Sequence, residues 1–220
     1  MLLQLRPSDS SLNMDSDSLN FPDGVKALVF DCDGTLIDSM PLHYDAWKEN
    51  CDDFGLQFSR QLLVETAGKN VQELLSIIIE RSDVASAVDR DEFFKRLMPG
   101  MYEKHHRPAE VIEPVMRIVR AGRKKGLPMA VASAGTRKHV QQSLEEAGIT
   151  AFFDAVVCGD DVKNGKPAPD LFLLAAEKLG MPPKVCIGYE DAKLGMEAIQ
   201  NAGFMAAVDV TAFHGYPKLV

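Results

Sequence analysis

Hydrophobic and polar positions change period several times along this chain. Ala27-Leu28-Val29-Phe30 is a run of four apolar residues closed by Asp31-Cys32-Asp33-Gly34. A short apolar run ending in a turn signal predicts a buried strand. Helical spacing then takes over. Leu42, Ala46, Trp47 and Cys51 share one face of a helix expected to end near Gly55. Leu62, Leu63, Val64 and Ala67 precede Gly68, and Val71, Leu74, Leu75, Ile78 and Ile79 form a second stripe. Phe93, Phe94, Leu97, Met98 and Met101 form a third. No strand signal of comparable strength interrupts Pro41 to Arg107, which predicts an all-helical insertion.

Past Pro108 the two periods alternate. Helices are predicted over Val115–Lys125, Lys138–Ala147, Leu171–Leu179 and Leu194–Ala202, followed by Gly126, Gly148, Gly180 and Gly203. Strands are predicted over Met129–Ala132, Phe153–Cys158, Val185–Ile187 and Met205–Val208. Repeated strand-helix units imply an α/β fold whose parallel sheet is covered on both faces. The expected layout is a tail over 1–23, a core domain from 24–39 and 109–220, and a helical domain over 40–108.

Composition narrows the class. With 220 residues, 46% hydrophobic and 25% charged, the chain can bury a sizeable core. Its net charge of −8 argues against non-specific nucleic-acid binding, although a phosphorylated ligand needs only local positive charge. Cys32, Cys51, Cys158 and Cys186 include no CxxC pair, so they read as reduced, buried thiols rather than a zinc site. No apolar run approaches the roughly 18 residues of a membrane helix. The first 24 residues are rich in Ser, Asp and Asn and predict a mobile tail. Leu2, Leu3 and Leu5 are too short a run for a signal peptide, and the acids in the tail disfavour a transit peptide, so the expected location is cytoplasmic.

Four constellations carry candidate chemistry. In extended chain Asp31 and Asp33 point to the same side, at the carboxyl end of their strand, and Cys32 points away. Two carboxylates so close need a cation or a shared proton, and Mg²⁺ suits them. Asp-Gly is also a common turn. Ser133-Ala134-Gly135-Thr136 follows a strand, where a hydroxyl and open N–H groups suit a phosphoryl oxygen, although taken alone the segment reads first as a cap for the next helix. Lys166 lies in Gly-Lys-Pro-Ala-Pro-Asp, a stiff loop in which Asp170 is placed to cap the next helix. It offers a fixed positive charge, or is simply a surface lysine. Glu190-Asp191, expected to follow a strand through Gly188-Tyr189, suits a hard cation or a helix N-terminus. There is no GxGxxG after a strand and no GxxxxGK[ST].

In order, DCDGT, Ser133, Lys166 and Glu190-Asp191 resemble the motifs of the haloacid dehalogenase-like hydrolases. The resemblance spans about 25–210 and implies a Rossmann-like core with a helical cap inserted after the first motif. GKPAPD and GYEDAKLG look like the subgroup of beta-phosphoglucomutase and small sugar-phosphate phosphatases, with Tyr189 replacing the commoner Phe or Ile.

The resemblance implies roles. Asp31 is the expected nucleophile, forming an aspartyl-phosphate, and Asp33 the general acid and base. Mg²⁺ is expected on the Asp31 carboxylate, the Asp33 carbonyl and Asp191, with Glu190 direct or through water. Ser133, the adjacent Ala134 and Lys166 are expected to bind the phosphoryl group. His43, twelve residues after Asp31, matches a cap histidine of related sugar-phosphate enzymes, and Lys69 is expected on a cap loop facing the substrate. The mutases place an Arg where this chain has Val71, which favours a phosphatase. The expected activity is therefore Mg²⁺-dependent hydrolysis of a small phosphorylated metabolite, a sugar phosphate such as fructose 1-phosphate. The alternative is a phosphosugar mutase, and nucleotide, flavin or pseudouridine phosphates are further substrate classes. Neither nucleic acid nor membrane is an expected partner, and the expected state is a monomer.

Overall fold

A computed structural model describes residues 3–4, 21–66, 71–82 and 88–217. The strands are β1 (Leu3–Gln4), β2 (Ala27–Phe30), β3 (Met129–Ala132), β4 (Ala155–Val157), β5 (Cys186–Glu190) and β6 (Ala206–Asp209). Helices α1 (Met40–Asp53), α2 (Arg60–Glu65), α3 (Val71–Glu80), α4 (Arg90–Lys95) and α5 (Tyr102–His105) come between β2 and β3. They are followed by α6 (Glu113–Lys124), α7 (Arg137–Glu146), α8 (Asp170–Lys178) and α9 (Lys193–Asn201), which alternate with the later strands. The described residues divide into two compact units, one from 3–38 and 109–217, the other from 39–108.

The first unit is a parallel sheet in the order β1-β6-β5-β2-β3-β4. Each central strand is apolar on both sides because helices cover both faces. Leu28, Phe30, Met129, Val131 and Tyr189 face Val115, Ile118, Val119 and Val140 of α6 and α7. Ala27, Val29, Ala130 and Ala132 face Leu171, Phe172, Ala198 and Ile199 of α8 and α9. Phe30 and Tyr189 stack in neighbouring strands at 4.6 Å between ring centroids and 12° between planes. Such a pair contributes about 0.5–1.5 kcal/mol beyond its buried area. The helix α6 presents Val115, Ile118, Val119 and Gly122 on one face, starts with Pro114 in its first turn and stops at Gly126, whose φ is +69°.

The strand at residues 185–187 runs further than the sequence predicts. Pairing with both β2 and β6 carries β5 through Tyr189 to Glu190, so Glu190 is a strand residue and not part of a following loop. The β4 strand is shorter than predicted. Asp170 is already the first residue of α8 and accepts from Asn164 Nδ2 instead of capping the helix. At the N-terminal end, Leu3–Gln4 pairs with Ala206 and Ala207 as an edge strand, and Phe21 packs on the core. These residues depart from the expected tail, the rest of which, up to 20, lies outside the described residues.

The second unit holds no strand among its described residues. Its core joins Trp47, Phe58, Leu75, Ile78, Phe93 and Leu97. Asn50 donates to the Phe93 carbonyl at 3.1 Å. Ser59 caps α2 by accepting from the Leu62 N–H at 3.1 Å. Two expected stripes are corrected. Val64 is exposed. The stripe from Phe93 to Met101 is no single helix, because Met98 is extended (φ −126°, ψ 113°). It precedes Pro99, and the residue before a proline is disfavoured in the helical conformation.

Candidate active site

The site begins where β2 ends. The Asp31 N–H donates to the Tyr189 carbonyl at 3.0 Å and extends the β2–β5 pairing by one residue. The chain then turns tightly. The N–H groups of Thr35, Leu36 and Ile37 all donate to the Cys32 carbonyl, and Gly34 N–H donates to the Ile37 carbonyl at 2.8 Å. Cys32 is buried in the core, as expected of a residue pointing away. Gly34 has φ +83°, and a Cβ there would lie 2.5 Å from Asp191 Oδ2. Both the turn and the close approach therefore require glycine. The next residue, Thr35, donates from Oγ1 to Asp191 Oδ1 at 3.0 Å.

Opposite this loop the Lys166 side chain, 3% exposed, places Nζ 2.5 Å from Asp31 Oδ1 and 2.5 Å from Glu190 Oε1. It is thus no surface lysine. The other Glu190 oxygen accepts from the Ala192 N–H at 2.6 Å, at the start of α9. A Cβ at Gly195 would overlap the Glu190 carboxylate, so a small residue on α9 makes room for that acid.

The ligand atoms of Asp31, Glu190 and Asp191 all lie within 4.8 Å of one another. Three ionised carboxylates against one ammonium leave two negative charges uncompensated in a buried site. Burial pushes the Asp31 carboxyl up to about 7, and Glu190 and Asp33 push the same way against the opposing pull of Lys166. Asp191 is also raised, first by burial and then by Glu190 and Asp31. Burial would lower Lys166, but Asp31 and Glu190 together raise it, so it stays an ammonium. An all-oxygen donor set short of two positive charges fits a divalent hard cation.

The Asp33 carboxylate is outside that cluster. Its Oδ1 lies 3.7 Å from His139 Nε2 on α7, and the interaction raises the His139 pKa. The expectation for Asp33 as a ligand concerned its main-chain carbonyl, not this carboxylate. Ser133, buried, accepts on Oγ from the Gly135 N–H at 3.0 Å, while Thr136 caps α7. A Cβ on Gly135 would lie 3.2 Å from Ser133 Oγ and 3.7 Å from Asp33 Oδ2, so the Ser133 loop and Asp33 are neighbours. Ala134 is exposed in that loop. A second loop braces it: Gly159 N–H donates to the Gly135 carbonyl at 2.9 Å, and Asp160 accepts from the Arg137 N–H at 2.7 Å.

His43 belongs to the other unit, where its Nδ1 is 3.0 Å from the Tyr102 hydroxyl, which also accepts from Trp47 Nε1 at 3.1 Å. Lys69 lies outside the described residues. Three residues around the site were not singled out by the sequence. Thr35 had a signal, since it sits inside the DCDGT segment. His139, on a predicted helix, had none that distinguished it from a solvated histidine. Tyr216, whose hydroxyl donates to the Gly34 carbonyl at 2.6 Å, had none at all.

A family model for haloacid dehalogenase-like hydrolases matches residues 25–203. The fructose-1-phosphate phosphatase YqaB of Escherichia coli (strain K12) is 35% identical over 190 residues, covering 83% of this chain and 95% of that protein. The beta-phosphoglucomutase of Bacillus subtilis (strain 168) is 27% identical over 207 residues, covering 89% and 86%. The crystal structure of a hydrolase of the same family from Deinococcus radiodurans R1, with bound phosphate and sodium, superposes with a TM-score of 0.67 at 26% identity, covering 85% of this chain and 80% of that one.

Proposed function

This chain belongs to the haloacid dehalogenase-like hydrolases, and on that premise we propose that it is a Mg²⁺-dependent phosphatase of a small sugar phosphate, with fructose 1-phosphate the first candidate. We assign it to the cytoplasm as a monomer. The observation that carries the reading is the buried cluster of Asp31, Lys166, Glu190 and Asp191, with Asp33 and Ser133 beside it.

In this reading the ionised Asp31 carboxylate attacks phosphorus. An Asp31 O–P bond forms as the bond to the sugar oxygen breaks, and Asp33 gives its proton to the leaving alkoxide. Asp33 then takes a proton from water as the water oxygen bonds to phosphorus, and the Asp31 O–P bond breaks to release phosphate. Ser133 Oγ, the N–H of Ala134 and Lys166 Nζ hold phosphoryl oxygens. Asp31, the Asp33 carbonyl and Asp191, with Glu190 directly or through water, are the residues that would hold Mg²⁺, which when bound neutralises charge on the transferring group. His43 and Lys69 select the substrate.

The test is phosphate release from a panel of sugar, nucleotide and flavin monophosphates, with Mg²⁺ or EDTA, for the wild type and Asp31→Asn. Release that needs the metal and disappears in the variant is expected. Release that survives Asp31→Asn overturns the assignment of the nucleophile. Similarity to the Bacillus subtilis beta-phosphoglucomutase supports a second reading, in which the phosphoryl group returns to a sugar. That reading predicts little net release and turnover that depends on an added sugar bisphosphate.

A further inference from the structure

We propose that Tyr216 is a positioning residue for the catalytic loop: its hydroxyl pins the Gly34–Thr35 peptide and so keeps Asp33 and Thr35 in place on either side. The inference rests on the phosphatase reading only for its kinetic arm. Tyr216 is 182 residues from Gly34 and lies beyond residue 203, where the family match ends.

Geometry makes it a brace rather than a chance contact. Gly34 is buried, and its carbonyl accepts from Tyr216 Oη at 2.6 Å. The N–H of the same peptide, that of Thr35, donates to the Cys32 carbonyl at 3.3 Å. Both polar atoms of that peptide are thereby used. Thr35 in turn holds Asp191, and the preceding peptide carries the Asp33 carbonyl. A buried carbonyl left without a donor costs free energy that a small movement of the loop would relieve.

The segment that delivers Tyr216 is itself anchored. Val210 and Phe213 are buried in the core, the Thr211 N–H donates to Asp209 Oδ1 at 2.9 Å, and the Tyr216 N–H donates to the Phe213 carbonyl at 3.1 Å. The ring of Tyr216 packs against the apolar cluster that contains Phe30 and Ile37. A packing role and a positioning role thus separate at a single atom, the hydroxyl oxygen.

The experiment is Tyr216→Phe in the full chain, which keeps the ring. Two readouts are taken: steady-state hydrolysis of the best phosphomonoester, and amide hydrogen exchange of the metal-free protein. We expect kcat to fall roughly tenfold, the worth of one hydrogen bond to a buried group, with KM within about twofold. We also expect faster exchange in peptides covering 31–38 and unchanged exchange in β3 and β4. Wild-type kcat together with wild-type exchange overturns the proposal. So does exchange that rises throughout the chain, which is the result of lost packing. If the wild type hydrolyses nothing, the phosphatase reading fails and exchange alone decides: faster exchange confined to 31–38 sustains the brace, and unchanged exchange overturns it.

Discussion

Lys166 Nζ lies 2.5 Å from Asp31 Oδ1, across 135 residues of sequence, and the two side chains are among the least exposed charged groups near the site. The lysine also reaches Glu190, so one ammonium serves two buried acids. It holds the Asp31 carboxylate in one orientation and offsets part of the charge that the acids concentrate there.

Lys166→Met leaves Asp31, Glu190 and Asp191 facing one another with no ammonium among them. Breaking a buried pair from one side costs about 3–5 kcal/mol. The expected outcome is a loss of thermal stability at neutral pH, partly restored by Mg²⁺, and a fall in kcat of at least about a hundredfold. Calorimetry and phosphate release check it. An unchanged melting temperature would show that Asp31 and Glu190 do not depend on the lysine.

The pH dependence of the metal-free protein has a defined sign. Asp31 rises from an ordinary 3.8 to about 7 on folding, mainly through burial, and Asp191 also rises. His139 rises through the Asp33 carboxylate beside it. Each group binds its proton more tightly in the folded chain. The folded state therefore holds more protons than the unfolded state over that interval, and stability falls as pH rises through it. For Asp31 the interval is 3.8 to about 7. The metal-free melting temperature should drop across it, Asp31→Asn should flatten the drop, and Mg²⁺ should raise the melting temperature more above the interval than below it. Thermal scans against pH, with Mg²⁺ or EDTA, measure all three.

Tyr189 is fully buried, and its hydroxyl has no hydrogen-bond partner among the described residues. Burying a hydroxyl without a partner costs about 1–3 kcal/mol. Tyr189→Phe keeps the stack on Phe30 and removes the cost, so a gain of roughly 1 kcal/mol in unfolding free energy is expected from denaturant titration. Destabilisation would reveal a partner for the hydroxyl.

Tyr102 ties His43 to Trp47 inside the helical unit. Trp47 can only donate, so the Tyr102 oxygen accepts from it and its own proton can go to His43 Nδ1. His43 then carries its proton on Nε2 when neutral. Tyr102→Phe should shift the tautomer balance seen in the ¹⁵N spectrum of His43 and raise KM about three- to tenfold with a smaller effect on kcat. A wild-type His43 spectrum in the variant would show that Tyr102 does not set the His43 tautomer.

Much of the fold was legible because it is local. Apolar runs at 27–30 and 129–132, each followed later by a 3.6-residue period, specify the strand-helix alternation whatever else surrounds them. Local rules also failed where a neighbour in space decided the outcome. Pairing with two strands carried β5 on to Glu190. Pro99 did carry a local signal against a continuous helix, which the apolar stripe from Phe93 to Met101 hides.

By itself the sequence determined the alternation of strands and helices past residue 108 and the residue types gathered at the candidate site, since periodicity and motif spacing are properties of short segments. Only the tertiary structure decided which acid meets which partner. Asp31 with Lys166, Asp33 with His139, Thr35 with Asp191 and Gly34 with Tyr216 are all joined across more than 100 residues. Those meetings follow from a sheet order that seats β2 between β5 and β3 and aligns the ends of all three. No local period encodes that order, because every buried strand presents the same apolar run and only packing among them distinguishes one neighbour from another.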